Sequence, residues 1–264
     1  MTKVVVCGAL GRMGKSILRL SLEYSDLQVV AGVEHPDCVR SQDLGIASGI
    51  DELKGVPLTS RLEEVLPLCN VVVEFSGNVS AALSHAKLSA LAGKAVVIGT
   101  TGFSQNDMEE LKSLSSHAPL LLSPNMSLGV NLLFKLVEIA GRVLKDKAFD
   151  VEVLEIHHRF KKDAPSGTAI RLEEILKETM SLPISVHGRD GLAERKAGEV
   201  GVMALRGGDV VGEHTVYFLG FGERLELTHR ATSRDIFAKG ALEACRWIKD
   251  KQPGWYSMFD LLGI

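Results

Sequence analysis

Short apolar runs alternate with helical-period stretches through the first half of the chain. Residues 3–7 form a run of β-branched side chains that closes on Gly8, and residues 11–24 carry apolar side chains at helical spacing. The same alternation predicts strands at 28–34, 71–75, 95–100 and 120–123, and helices at 61–68, 80–92 and 105–115. Continuous apolar strands between helices indicate a parallel sheet covered on both faces.

The second half changes character. Residues 128–144 predict a long helix, and residues 150–158 alternate as a half-exposed strand does. A helix at about 166–180 follows, then strands at 199–205, 210–218 and 224–230, with glycine-rich turns at Gly207-Gly208 and Gly220–Gly222. Hairpin-linked strands of this kind predict a mixed sheet. The expected fold class is α/β: a doubly wound parallel-sheet domain at 1–126 and a smaller α+β domain at 127–236. An amphipathic helix at 235–249 opens the last segment, and residues 237–264 are expected to return to the first domain.

Composition narrows the classes. The 264 residues are 45% hydrophobic and 24% charged, enough apolar material for packed cores and against disorder. A net charge of −3 argues against nucleic-acid binding by bulk electrostatics. There is no apolar run of membrane-spanning length, and the first residues read as a buried strand rather than a signal peptide, so a cytoplasmic protein is expected. Cys7, Cys38, Cys69 and Cys245 form no C-x-x-C pair and have no histidine at metal-ligand spacing. They read as small buried thiols, with no metal expected.

Gly8-Ala9-Leu10-Gly11-Arg12-Met13-Gly14 follows the first strand and opens a helix, the context in which a glycine motif binds a dinucleotide. Gly8 permits the turn, Gly11 lets backbone approach a pyrophosphate, and Gly14 lets the helix pack on the strand. The helix start then holds the phosphates. Glu34 lies twenty residues after Gly14, where an acid accepts from the adenine ribose. This is the Rossmann arrangement. His35 is placed to meet the 2′-phosphate of NADPH when protonated; the plain alternative is a solvated loop histidine. Gly99-Thr100-Thr101 and Ser123-Pro124-Asn125-Met126 end later strands, where ligands bind in doubly wound sheets. NADH or NADPH is the expected cofactor.

The segment Glu155-Ile-His157-His158-Arg159-Phe160-Lys161-Lys162-Asp163-Ala-Pro165-Ser166-Gly167-Thr168-Ala169 packs five basic or ionisable side chains into six positions. It then starts a helix with Ser-Gly-Thr. A capped helix start beside Lys and His is an anion site, and a small carboxylated substrate fits its size and polarity. Asp163 either orients Lys161 or is a helix-start acid.

This segment resembles the signature of the dihydrodipicolinate reductase family, and the similarity runs the length of the chain. The turn 8–14, Val97–Phe103, Asn125–Asn131, Leu205–Thr215 and Leu227–Arg234 are similar to the family's other motifs. The resemblance implies NADH- or NADPH-dependent reduction of a cyclic dicarboxylate on the diaminopimelate route to lysine. It implies His157 as acid–base histidine and Lys161 as second proton donor. His158, Ser166, Gly167 and Thr168 would hold the substrate carboxylates. Gly8, Ala9, Leu10, Gly11, Arg12, Met13, Glu34, His35, Gly99, Thr100, Thr101, Ser123, Pro124, Asn125 and Met126 would line the cofactor. It also implies a homotetramer built through the second domain, with no nucleic-acid or membrane partner. Two departures stand out: His35 where many members carry Arg or Lys, and Glu74-Phe75-Ser76-Gly77-Asn78 in place of Asp-Phe-Thr-x-Pro. The competing readings are another two-domain NAD(P) dehydrogenase acting on an amino or keto acid, and a non-enzymatic dinucleotide sensor.

Overall fold

A computed structural model describes residues 1–264 and divides the chain into two compact units, Met1–Ser127 with Asp235–Ile264, and Leu128–Arg234. In chain order the first unit contributes β1 (Thr2–Cys7), α1 (Arg12–Ser21), β2 (Leu27–Val33), α2 (Leu44–Ser48), β3 (Leu58–Thr59), α3 (Leu62–Val65) and β4 (Val71–Glu74). It continues with α4 (Val79–Leu91), β5 (Ala95–Ile98), α5 (Gln105–Leu114) and β6 (Pro119–Leu122). The second unit holds α6 (Leu128–Leu144), β7 (Asp150–His157), α7 (Gly167–Met180), β8 (Ile184–Val186), β9 (Glu199–Arg206), β10 (Gly212–Gly220) and β11 (Glu223–Ala231). The chain then re-enters the first unit as α8 (Asp235–Ile248), β12 (Gly254–Tyr256) and α9 (Met258–Leu262). No helix is long and apolar enough to cross a membrane.

The first unit is a seven-stranded sheet ordered β12-β6-β5-β4-β1-β2-β3, parallel at every pairing. The central stretches of its inner strands, such as Val4–Cys7, Val71–Val73 and Ala95–Ile98, are apolar and buried because both faces are covered. Val5, Ala31, Val33 and Val72 pack with Leu62, Val65 and Leu66, while Val96, Ile98 and Leu120 pack with Ala86, Ala90, Leu111 and Leu114. The helices carry their start signals in sequence. Asn78 caps α4 through its side chain, and Ser104 with Asp107 forms a reciprocal capping box on α5. The expected helix at 61–68 is shorter than its apolar pattern: α3 ends at Val65, and Leu66–Leu68 tighten into a 3₁₀ turn around Pro67. Three short strands, β3, β8 and β12, lie outside the expected set; each is two or three residues long, too short for a periodic signal.

The second unit is a mixed sheet ordered β11-β10-β7-β9-β8. β10 runs antiparallel to β7 and β11, while β9 runs parallel to β7 and β8. Val151, Val153, Val200, Val202, Val216 and Phe218 are buried on it, with Leu172, Ile175 and Leu176 of α7 also buried.

The turn after β1 is where glycine is obligatory. Gly8 has φ +75°, a conformation that strains any side chain, and a Cβ at Gly14 would stand 2.1 Å from the Gly8 carbonyl oxygen. The obstacle is backbone held by the sheet, so it cannot swing aside. Gly14→Ala should therefore destabilise the protein by about 2 kcal/mol or more, a fall of several degrees in Tm. Calorimetry or thermal unfolding by circular dichroism checks this; an unchanged Tm would contradict the packing described.

Candidate active site

The first unit presents a cradle at the carboxyl ends of its strands. α1 begins at Gly11 with no side-chain cap and no acidic residue in its first turn. Its leading N–H groups and positive dipole end therefore suit an anionic ligand. Glu34 is drawn onto the glycine turn itself: its carboxylate accepts from Leu10 N–H at 2.8 Å and from His35 N–H at 3.0 Å. Arg12 is exposed at the helix start, while Ala9 is buried beneath it and Leu10 and Met13 are half-buried. His35 is exposed, and its Nδ1 lies 3.5 Å from the Asp37 carboxylate.

Two further turns adjoin this cradle. Gly99 is half-buried and Thr101 exposed, but Thr100 is buried with its hydroxyl turned inward, accepting from Gly77 N–H at 3.1 Å and donating to Glu74 at 3.3 Å. Ser123 donates its hydroxyl to the Asn125 carbonyl at 2.7 Å, and Asn125 accepts from Ser127 N–H at 2.9 Å, which shapes the turn through exposed Pro124 to buried Met126. A positive-φ turn, an uncapped helix start and an acid anchored beside them form a cradle that fits a dinucleotide.

The second unit builds a different cluster. The alternation of β7 buries Val151, Val153, Glu155 and His157 on one face. Pairing then places Arg206 of β9 beside His157, and His214 of β10 opposite Glu155. Glu155 has no solvent exposure. It accepts from Arg206 Nη1 at 2.8 Å, Arg206 Nη2 at 2.7 Å and Ser166 N–H at 3.0 Å, and its Oε2 lies 2.5 Å from His157 Nδ1. Burial raises this carboxyl, but the guanidinium, the imidazole and the Ser166 N–H outweigh it, so Glu155 lies below the usual carboxylate range. An ionised carboxylate only accepts, so Nδ1 carries the proton and Nε2 of His157 is the nitrogen left for chemistry. Burial lowers His157 below the usual histidine range despite Glu155, which makes the neutral ring the resting form.

The basic segment is tied to this cluster. Arg206 Nη2 also donates to the Asp163 carbonyl at 2.7 Å, and Lys161 Nζ donates to both Asp163 carboxylate oxygens at 2.9 Å. Of the two readings for Asp163, the structure thus shows it orienting Lys161. Ser166 caps α7, its hydroxyl accepting from Ala169 N–H and lying 3.0 Å from His214 Nε2. The Ser166 side chain is thereby turned inward, while Gly167 is exposed and Thr168 half-buried at the same helix start.

His157 and His158 are adjacent in sequence but have separate partners, because β7 ends at His157 and His158 opens the following loop. His158 accepts from Phe160 N–H at 3.2 Å, and its Nε2 lies 3.2 Å from Arg234 Nη2. Glu155, Arg206, His214 and Arg234 were not singled out by sequence reasoning. Glu155 was within reach of it, two positions from His157 on an alternating strand; the others depend on strand pairing or chain return. The cysteine reading also changes. Cys38 is exposed, and Cys7 Sγ lies within 4.8 Å of Glu74 and His85 ligand atoms, a proximity that spacing along the chain does not reveal.

His214 gives the cluster a pH signature. Burial, then the neighbouring His157, push it down to about 3, with Glu155 opposing and His229 and Lys161 adding to the fall. Between pH 6.5 and 3 the unfolded chain therefore binds a proton at this position that the folded chain does not, so its effect is to lower stability as pH falls. From pH 7 to 5 the loss due to His214 should be about 2 kcal/mol. His214→Gln, which keeps a polar group facing Ser166 but does not titrate, should lose correspondingly less in urea unfolding at the two pH values. Parallel losses in the two proteins would refute a buried neutral histidine.

Comparison with known proteins agrees with this geometry. The family described as dihydrodipicolinate reductase matches over residues 2–126 with its N-terminal part and over residues 129–262 with its C-terminal part. The 4-hydroxy-tetrahydrodipicolinate reductase of Aquifex aeolicus is 69% identical over 99% of this chain and 99% of its own length. That of Anaeromyxobacter dehalogenans is 48% identical over 100% and 98%. Among solved structures, dipicolinate-bound dihydrodipicolinate reductase from Paenisporosarcina is similar at a TM-score of 0.80 and 21% identity, covering 98% of each chain. Amine dehydrogenase from Mycobacterium smegmatis shares the fold at a TM-score of 0.67 and 14% identity, over 97% and 95% of the two chains. With both halves matched by one family and the relatives aligned end to end, the chain belongs to the dihydrodipicolinate reductase family.

Proposed function

We propose that the protein catalyses NAD(P)H-dependent reduction of 4-hydroxy-tetrahydrodipicolinate to tetrahydrodipicolinate, the diaminopimelate-route step to lysine. Family membership supports the activity. The observation that carries the assignment of residues is the buried Glu155 carboxylate, which fixes His157 Nδ1 at 2.5 Å at the head of the segment that also holds Lys161 and the α7 start.

The residues that would hold the cofactor are Gly8 to Met13 at its phosphates, Glu34 at the adenine ribose, and Gly99 to Thr101 with Ser123 to Met126 at the other end. When bound, NAD(P)H supplies the hydride. The α7 start at Ser166-Gly167-Thr168, with His158 and Lys161, binds the substrate carboxylates through charge-assisted hydrogen bonds and the helix dipole. Lys161 is fixed by Asp163, so its ammonium is presented in a defined place and stabilises negative charge that develops on the substrate. Protonation of the reduced substrate falls to His157 Nε2 or Lys161 Nζ. Because burial holds His157 below the usual histidine range, its acid form grows only as pH falls. Glu155 and Arg206 are positioning residues that act through His157. We also infer a homotetramer: β11 is a sheet edge with Leu225 exposed, and edges of this kind are normally covered.

Loss of nicotinamide absorbance on adding freshly made substrate tests the activity. Lys161→Ala should lower turnover on the order of 10²–10⁴-fold, the usual scale for a general acid, with cofactor affinity unchanged. Unaltered turnover would remove Lys161 from the site.

Cofactor choice follows from charge. Glu34 and Asp37 both present carboxylates near His35, and together they oppose a 2′-phosphate more than one imidazole attracts it. NADH is therefore the preferred donor. His35→Arg should raise the NADPH-to-NADH ratio of kcat/KM by about tenfold, the worth of one charge-assisted hydrogen bond. An identical ratio in the two proteins at every pH would show that residue 35 does not face the 2′ position.

A further inference from the structure

Glu74 and His85 have been given no role above, yet Glu74 is joined to the Thr100 turn that adjoins the cofactor cradle. Glu74 ends β4, whose neighbours are β1 and β5, and its carboxylate has no solvent exposure. The sheet order reverses at β1 and β4, the point where ligands bind in doubly wound sheets. Oε1 of Glu74 accepts from Ser76 N–H at 2.7 Å and from the Thr100 hydroxyl at 3.3 Å; Oε2 lies 2.5 Å from Nδ1 of His85, on α4. Burial raises the Glu74 carboxyl, but His85 and Ser76 outweigh it, and the group lies below the usual carboxylate range. Such a buried charge is tolerated only with its partners in place.

Those partners connect three turns. Thr100 Oγ1, held by Glu74, in turn accepts from Gly77 N–H at 3.1 Å. Phe75 lies between the other two turns: a Cβ at Gly99 would stand 2.2 Å from its ring, and a Cβ at Gly8 would stand 2.5 Å from its carbonyl oxygen. A shift of Glu74 therefore moves the loop 75–77, and with it the surfaces against which the glycine turn and the Gly99-Thr100 turn rest.

We infer that the half-buried His85 and the buried Glu74 form a positioning pair that pre-shapes the Thr100 and Ser76–Gly77 turns for the dinucleotide. The inference rests on the reading of these turns as the cofactor site. Nδ1 of His85 donates to Glu74, the carboxylate anchors Ser76 and Thr100, and neither side chain needs to touch the ligand. The nearby Cys7 thiol does not turn this group into a metal centre. A 2.5 Å separation between His85 and Glu74 is a hydrogen-bond distance, too short for two ligands of one zinc ion. Burial, followed by Glu74 and Cys69, also pushes the Cys7 thiol well up, away from the thiolate a metal requires.

Titration of the full-length protein with NADH and NADPH, followed by fluorescence or calorimetry, tests the pair. His85→Ala should weaken dinucleotide binding on the order of tenfold, the effect of losing one charge-assisted hydrogen bond. Its turnover at saturating cofactor and its KM for the dicarboxylate should stay within about twofold. His85→Asn, whose amide can donate from nearly the same place, should recover most of the affinity. Should His85→Ala not fold, Glu74→Gln supplies the same comparison by removing the charge while keeping the shape. Dinucleotide affinity equal to wild type in these variants would overturn the inference, whatever their Tm. So would stoichiometric zinc in the wild type that is lost in Cys7→Ser. A wild-type protein that binds neither NADH nor NADPH would instead overturn the cofactor reading on which the pair depends.

Discussion

A carboxylate stripped of water costs several kcal/mol unless charged or N–H donors replace the lost solvent, and the second unit is organised around one such group, Glu155. Its donors come from separate elements: a guanidinium from β9, a backbone N–H from the start of α7, and an imidazole two positions along its own strand. Slipping β9 by one residue would carry Arg206 to the wrong face, and a displaced α7 would leave an acceptor unmet. The same contacts that hold the charge thus set the register of the sheet, the docking of a helix and the tautomer of His157. Arg206 extends the constraint into the basic segment through the Asp163 carbonyl, and Asp163 passes it on to Lys161.

The first unit uses the same physical device for a different purpose. Glu74 is likewise unexposed and likewise lies 2.5 Å from the Nδ1 of a histidine. In one unit the histidine it orients is the proposed acid–base group; in the other the carboxylate shapes neighbouring backbone turns. A buried carboxylate–imidazole pair supplies a fixed direction that exposed pairs, screened by water and free to rotate, do not.

Fold and chemistry separate along these lines. The doubly wound sheet is shared with dehydrogenases such as the amine dehydrogenase, at an identity of 14%. What distinguishes this chain lies in the segment from Glu155 to Thr168 and in the groups that hold it. The overall charge of −3 says nothing of this concentration of cations, because acids elsewhere on the surface balance it.

Much of this was legible before any coordinates. Valine-rich runs such as 71–74 and 95–98 have no polar face to give to water, so they had to lie in a sheet covered on both sides. The glycine turn, with Glu34 at its distance, read as a dinucleotide cradle because each glycine answers a local steric demand. The basic segment and its Ser-Gly-Thr helix start read as a candidate anion site for the same local reason. What only the tertiary structure decided are relations between residues far apart in the chain. Arg206 reaches Glu155 across 51 positions, His214 reaches Ser166 across 48, and Thr100 reaches Glu74 across 26. Even adjacent His157 and His158 part company: β7 ends at His157, which pairs with Glu155, while His158 lies in the following loop beside Arg234. Periodicity and turn chemistry are written in short windows of sequence, whereas burial, ionisation and side-chain partnership depend on which strands pair and in what register.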